Sequence, residues 1–199
     1  MTLRSIAAFV SVLSVILWLG VPSARAQDSA LQEINQLLRQ DQLDKALERV
    51  DAYLVAQPKE ARGRFLKGLI LTRQSKPADA IKIFTSLTED YPELPEPYNN
   101  LGVLYASQGQ YDKARNALEM AIRTYPGYAT AHENLGDIYA RMAEQSYDKA
   151  QQLDRGSASA RTKLKLIREL FSGNPLPKVA TSTKPAANGI RGIPQAAKK

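Results

Sequence analysis

The chain has no cysteine, one histidine and one tryptophan. Without cysteine no disulfide forms, no thiol carries a lipid, and neither a thiolate nucleophile nor a Cys/His zinc site can be assembled. A single histidine excludes a multi-histidine metal centre. His132-Glu133 is followed by Asn134-Leu135-Gly136, not by the second histidine of a zinc-protease helix. Gly-x-Ser-x-Gly, a phosphate-cradling glycine loop and a dinucleotide fingerprint are all missing. Paired carboxylates exist, at Glu89-Asp90 and Glu93/Glu96, but they sit in or beside an expected loop, where charge is ordinarily solvated. The expectation is a protein that is not an enzyme and holds neither cofactor nor metal.

Long apolar runs are equally scarce. One exists, from Ile6 to Leu19, interrupted only by Ser11 and Ser14. Arg4 precedes it, Pro22 breaks it, and Ala24-Arg25-Ala26 places small residues at the cleavage-defining positions. That order describes a secretory signal peptide over residues 1–26, cleaved before Gln27. The rival reading is an uncleaved anchor, because residues 5–21 nearly match the roughly 20 residues that span a bilayer. Pro22 and the Ala-x-Ala site favour cleavage and an exported, periplasmic product, held together by packing alone.

Charge is divided unevenly. Residues 27–154 carry 15 Lys/Arg against 19 Asp/Glu, whereas residues 155–199 carry 10 against 1. The basic end is either a solubilising tail or a contact for an anionic lipid or wall polymer; export argues against nucleic acid. From Ser172 onward Gly173, Pro175, Pro177, Pro185, Gly189, Gly192 and Pro194 alternate with alanine and lysine, a composition that predicts a disordered tail over 172–199.

What the chain does have is a beat. Pro58, Pro92 and Pro126 stand 34 residues apart, and Ala46, Ala80 and Ala114 keep the same interval. A period shared by two residue types signals a stacked array of one recurring unit. The clearest unit covers residues 95–128. Tyr98, Leu101, Gly102 and Tyr105 make one helical stripe, Gln108-Gly109-Gln110 a turn, and Tyr111, Ala114, Leu118, Ala121 and Ile122 a second stripe that Pro126 stops. Gly102 sits inside its stripe, where glycine costs about 1 kcal/mol against alanine, so close helix approach is expected there.

Units 61–94 and 27–60 repeat the scheme more loosely. The former has Arg64 in place of the aromatic residue; the latter lacks the Leu-Gly step in its first helix. A fourth unit, 129–157, begins with His132, Leu135, Gly136 and Tyr139 but shows no turn residue between Asp137 and Asp154. His132 takes the place of Tyr98 and is expected to pack. Leu135, Ile138, Tyr139, Met142, Tyr147, Ala150 and Leu153 read as one stripe, predicting a single helix from about Thr130 to Asp154. The alternative is a hairpin with a longer turn, aligning Tyr147-Asp148-Lys149-Ala150 with Tyr111-Asp112-Lys113-Ala114. Residues 158–171, with Leu164, Ile167, Leu170 and Phe171 on one face, predict a closing helix.

The series aromatic, Leu-Gly, Tyr, Ala, large apolar, Ala and Pro resembles the tetratricopeptide repeat, over residues 27–157. The resemblance implies an all-α fold: a right-handed α-solenoid of stacked antiparallel helix pairs, about 3.5–4 repeats, with a C-terminal capping helix over 158–171. It also implies a concave groove lined by the second, fifth, sixth and ninth positions of each unit. Those positions are Leu31 and Asn35; then Arg62, Phe65, Leu66 and Leu69; then Glu96, Asn99, Asn100 and Val103; then Thr130, Glu133, Asn134 and Asp137. Repeats that grip a C-terminal carboxylate resemble a clamp of two Lys, two Asn and one Arg. Only amides match here, so nothing would hold a carboxylate.

The expected function is therefore a protein-binding adaptor of the bacterial cell envelope. Phe65, Leu69 and Val103 would bury apolar side chains of a partner segment. Asn99, Asn100 and Asn134 would bond its backbone, and Glu133 and Asp137 would favour a basic residue. Two other readings stay open: surface association through the basic C-terminal helix and tail, and self-assembly through the fourth unit's long helix.

Overall fold

In the computed structural model, residues 24–172 are described, and among them eight helices follow one another with no strand. They are α1 (Ala24–Arg39), α2 (Leu43–Ala56), α3 (Ala61–Arg73), α4 (Pro77–Asp90), α5 (Pro95–Ser107), α6 (Tyr111–Thr124), α7 (Ala129–Leu153) and α8 (Ala158–Ser172). The expected tail lies outside the described residues from 173 on, as does the expected signal peptide up to residue 23. Helix α1 begins at Ala24, ahead of Gln27.

The 34-residue beat is a packing rule. Ala46, Ala80 and Ala114 are fully buried, one in each of α2, α4 and α6, where a small side chain lets the paired helix approach. One turn later Val50, Phe84 and Leu118 are also fully buried and fill the space between helices. Gly68 and Gly102 let this happen: a Cβ there would lie 2.6 Å from the Phe84 ring and 2.5 Å from Leu118 Cγ. The core falls into three successive clusters, one within α1–α3, one with Ala61, Phe84, Leu87, Leu101 and Leu104 between α3 and α5, and one with Leu118, Ala121, Ala131 and Ile138 between α6 and α7, bridged by the half-buried Leu47, Leu69 and Tyr105. Each hairpin is thus completed by the first helix of the next unit, and the elements form an α-solenoid.

The turns inside the hairpins keep the same interval. Asp41, Ser75 and Gly109 have φ of 58°, 57° and 71°. The amides of Gln42, Lys76 and Gln110 then donate to the carbonyls of Leu37, Leu71 and Tyr105 at 3.0, 2.9 and 2.9 Å, closing each first helix with a Schellman-type bond. The next residue in the series is Ala143. Left-handed backbone costs a residue with a Cβ roughly 1–2 kcal/mol, and unlike Asp or Ser an alanine has no polar side chain to offset it. Residue 143 is helical, and α7 continues to Leu153.

Skipping that turn leaves the fourth unit without a partner helix of its own. Gly136, in step with Gly68 and Gly102, has nothing within 4 Å of its Cβ position. Tyr139 and Leu153, expected on a packed stripe, are 51% and 78% exposed. Helix α8 folds back along the second half of α7 instead. It buries Ala160 and Leu164, whereas Leu170, expected to face inward, is turned out and 65% exposed. Polar contacts add to its docking: the Arg168 guanidinium donates to Glu144 at 3.2 Å and Asp148 at 3.1 Å.

Candidate functional site

Helix α1 packs on α3 and α5 on α7, so the first helices of the units line one side of the array. Towards its early end, Arg62 lies 3.6 Å from Asp28 in an ion pair that is substantially exposed. Phe65 meets Phe84 edge-on, with ring centroids 5.6 Å apart. Leu69 packs against both of the first two core clusters. Leu31 and Leu66 are buried within the core. Phe65 and Leu69 are half-buried, each with a surface left over.

The middle is amide-rich and already partly bonded. Asn99 is buried, and its Oδ1 accepts from Asn134 Nδ2 at 2.9 Å, joining α5 to α7. Asn100 Nδ2 donates to the Glu96 carbonyl one turn earlier at 2.8 Å, and Asn35 does the same to Leu31 at 2.8 Å. These bonds fix the amides' orientation, leaving Asn100 and Asn134 half-exposed alongside Val103. Asn99 acts as the strut that holds Asn134 in place.

The late end is acidic. Burial pushes the Glu96 carboxyl above its ordinary value, and burial followed by the neighbouring Glu133 charge does the same to Asp137. Tyr128 is pushed up to about 12, by burial first and then by the Glu96 charge. Arg141, one turn after Asp137, opposes the effect there. Its guanidinium reaches Glu144 Oε2 at 3.0 Å and lies 3.9 Å from the Phe171 ring centroid. Sequence reasoning missed Tyr128 and Arg141; the i, i+4 spacing from Asp137 was the available signal for Arg141.

Two positions of the array carry substitutions with a visible reason. Arg64 stands where the third unit has Tyr98; its guanidinium donates to Asp90 Oδ2 at 2.6 Å and to Ser86 Oγ, so a buried cation replaces an aromatic ring. His132, expected to pack, is exposed, and its Nε2 lies 3.0 Å from the Pro126 carbonyl, tying helix to loop. Among the described residues there is no group of three or more potential metal ligands, and no helix is long and apolar enough to cross a membrane.

Two family models described as tetratricopeptide repeat match, one over residues 31–95 and one over 71–138, together more than half of the chain. The chain belongs to the tetratricopeptide repeat family. The chloroplastic tetratricopeptide repeat domain-containing protein PYG7 of Arabidopsis thaliana is 30% identical over 115 residues, 56% of this chain and 38% of that protein. The TPR repeat-containing thioredoxin TTL4 of the same plant is 29% identical over 77 residues, 39% of this chain and 11% of that one. The matched region is thus well under half the length of either relative.

Among solved structures, PilF of Pseudomonas aeruginosa superposes with a TM-score of 0.55 at 20% identity, over 73% of this chain and 69% of that one. The first TPR of Spaghetti (RPAP3), bound to the HSP90 peptide SRMEEVD, gives 0.56 at 16% identity, over 61% and 96%. The type III secretion translocator chaperone SycD of Yersinia enterocolitica gives 0.56 at 12% identity, over 68% and 93%. At these identities the likeness is one of fold. The tetratricopeptide repeat is a protein-interaction scaffold.

Proposed function

We propose that this chain is an exported, periplasmic adaptor whose first-helix groove holds an extended segment of a partner protein. The observation that carries the reading is the graded surface left accessible along α3, α5 and α7: Phe65 and Leu69, then Asn100, Val103 and Asn134, then Glu133 and Asp137. An apolar stretch, a run of oriented amides and an acidic end suit a segment with apolar side chains followed by lysine or arginine. The peptide SRMEEVD held by Spaghetti is acidic. The acid of Glu96, Glu133 and Asp137 would repel such a sequence, so a different partner chemistry is expected here.

Supporting this, Glu96 and Asp137 are carboxylates kept where ionisation is disfavoured, a cost to the free protein that a bound cation would relieve. The test is titration of synthetic peptides that alternate leucine and lysine against the chain and its Glu133→Lys/Asp137→Lys variant. Binding to the native chain, weakened at least tenfold in the variant, is expected. Equal binding to both would overturn the reading.

A second reading has its own observation. Residues 155–199 carry ten basic residues against one acidic, and Leu166 and Leu170 on α8 are 59% and 65% exposed. Association of this end with an anionic envelope surface would weaken steeply with salt, because the Debye length is about 10 Å at 0.1 M. Groove binding through buried apolar contacts would change less.

A further inference from the structure

Helix α8 places the start of the chain's basic end beside the acidic end of the groove. Asp137, Arg141, Glu144 and Asp148 recur at i, i+4, i+7 and i+11, so they share one face of α7. Along that face α8 runs antiparallel. Lys163 Nζ stands 5.3 Å from the Tyr147 ring centroid, Arg168 bonds both Asp148 and Glu144, and Phe171 lies under Arg141. The next turn of α7 is Asp137. At 1.5 Å rise per residue it begins about 6 Å beyond Arg141. The chain therefore leaves α8 at Ser172 within a turn or two of Asp137 and Glu133.

The residues after Ser172 have matching chemistry. Residues 173–199 contain Lys178, Lys184, Arg191, Lys198 and Lys199 and no acidic residue. Four prolines, Pro175, Pro177, Pro185 and Pro194, punctuate it, and proline-containing segments are among those that extended-peptide grooves accept. Val179, Ile190 and Ile193 supply apolar side chains between the cations. Reach is ample. At roughly 3.3 Å per extended residue, Lys178 comes within about 20 Å of Ser172 and the tail's end within about 90 Å. Three first helices spaced 8–10 Å apart are crossed in about 30 Å.

We propose that the groove's resident occupant is the chain's own tail, residues 173–199, lying across α7 and α5 with its cations against Glu133, Asp137 and Glu96. This rests on the groove being a docking surface, as argued above, and adds that the surface is self-occupied until a partner displaces the tail. Covalent continuity supplies a high local concentration, so a weak intrinsic affinity suffices. A partner must then outcompete a tethered segment, which sets a threshold on its affinity.

Absence of cysteine makes the test clean, since Ala187→Cys is a unique attachment point for a nitroxide. In the full chain, isotopically labelled for amide detection, the nitroxide is expected to erase the amide signals of Val103, Asn134 and Asp137. Those of Asn116 and Arg123, on the exposed side of α6, should persist. Adding Lys178→Gln, Lys184→Gln and Arg191→Gln should restore the lost signals. The same triple variant should bind a leucine–lysine peptide more tightly than the native tail does. Unchanged groove signals, or loss spread evenly over all helices, would overturn the proposal. So would loss that appears equally when spin-labelled and isotope-labelled copies are mixed, since the occupant would then be a second copy. If the peptide still binds while the nitroxide leaves the groove untouched, only the tail's role fails. If the peptide binds neither form, the groove reading fails with it.

Discussion

Gly102 and Leu118 are in contact: a Cβ on the glycine would stand 2.5 Å from the leucine Cγ. Leu118 is fully buried and has nowhere to withdraw. Gly102→Ala is expected to destabilise the array by about 1–3 kcal/mol, the usual cost of overpacking, despite alanine's better helix propensity. Gly136 occupies the same step of the fourth unit and faces open space. There the propensity gain acts alone, so Gly136→Ala should stabilise by up to about 1 kcal/mol. Urea unfolding of the two variants side by side reads both signs.

Residue 143 decides between a continuous α7 and a fourth hairpin. In an uninterrupted helix, Ala143→Gly loses about 1 kcal/mol. In a hairpin it would gain, because glycine accepts left-handed backbone freely. A fall in stability with unchanged helix content by circular dichroism is expected. Gly109→Ala, at φ 71°, should cost about 1–2 kcal/mol on the opposite logic.

Much of this was legible from residue spacing. Ala46, Ala80 and Ala114 gave the period because the helix pair tolerates nothing larger at its closest approach, and Gly102 stood out as a glycine that helix propensity alone disfavours. The missing turn after Asp137 predicted α7. The turns at Asp41 and Ser75 were hidden, since neither residue advertises positive φ as Gly109 does; only the interval points to them. Leu170 and Tyr139 defeated periodicity for a different reason. A helical stripe says which residues share a face, but not whether another helix arrives to cover it, and among the described residues past α7 none covers Tyr139. At the groove, position numbers indicated Asn99 but not that Asn134 would satisfy it.

Arg64 tests how a repeat replaces an aromatic residue. Its guanidinium is held by Asp90 and Ser86 while its stem is buried. Asp90→Ala leaves a buried donor unpaired and should cost about 1–3 kcal/mol. Arg64→Tyr, restoring the third unit's residue type, should be tolerated better than Arg64→Ala. Thermal unfolding of the three variants ranks them.

Alkaline and acid limbs of stability follow from the displaced groups. Tyr53 and Tyr128 are each raised from 10.0 to about 12, in both cases by burial first. Between those values the unfolded chain gives up phenolic protons that the folded chain keeps. The tyrosines' contribution to stability is therefore fully present below pH 10 and is lost as pH rises through the window. Glu96 and Asp137 act in the same sense at lower pH, because their folded carboxyls hold protons longer than the unfolded ones do. Glu96→Gln and Asp137→Asn should therefore raise the melting temperature at neutral pH, with the gain vanishing in acid. Melting curves across pH check the sign for each.

The most direct test of the central claim places a photo-crosslinking amino acid at Val103 in the groove or at Asn116 on the exposed side of α6, in cells producing the full chain. The account predicts a discrete higher-mass adduct with another polypeptide from Val103 alone, lost when Glu133→Lys and Asp137→Lys are added. Identical adducts from both positions, or none that depends on Glu133 and Asp137, would contradict it.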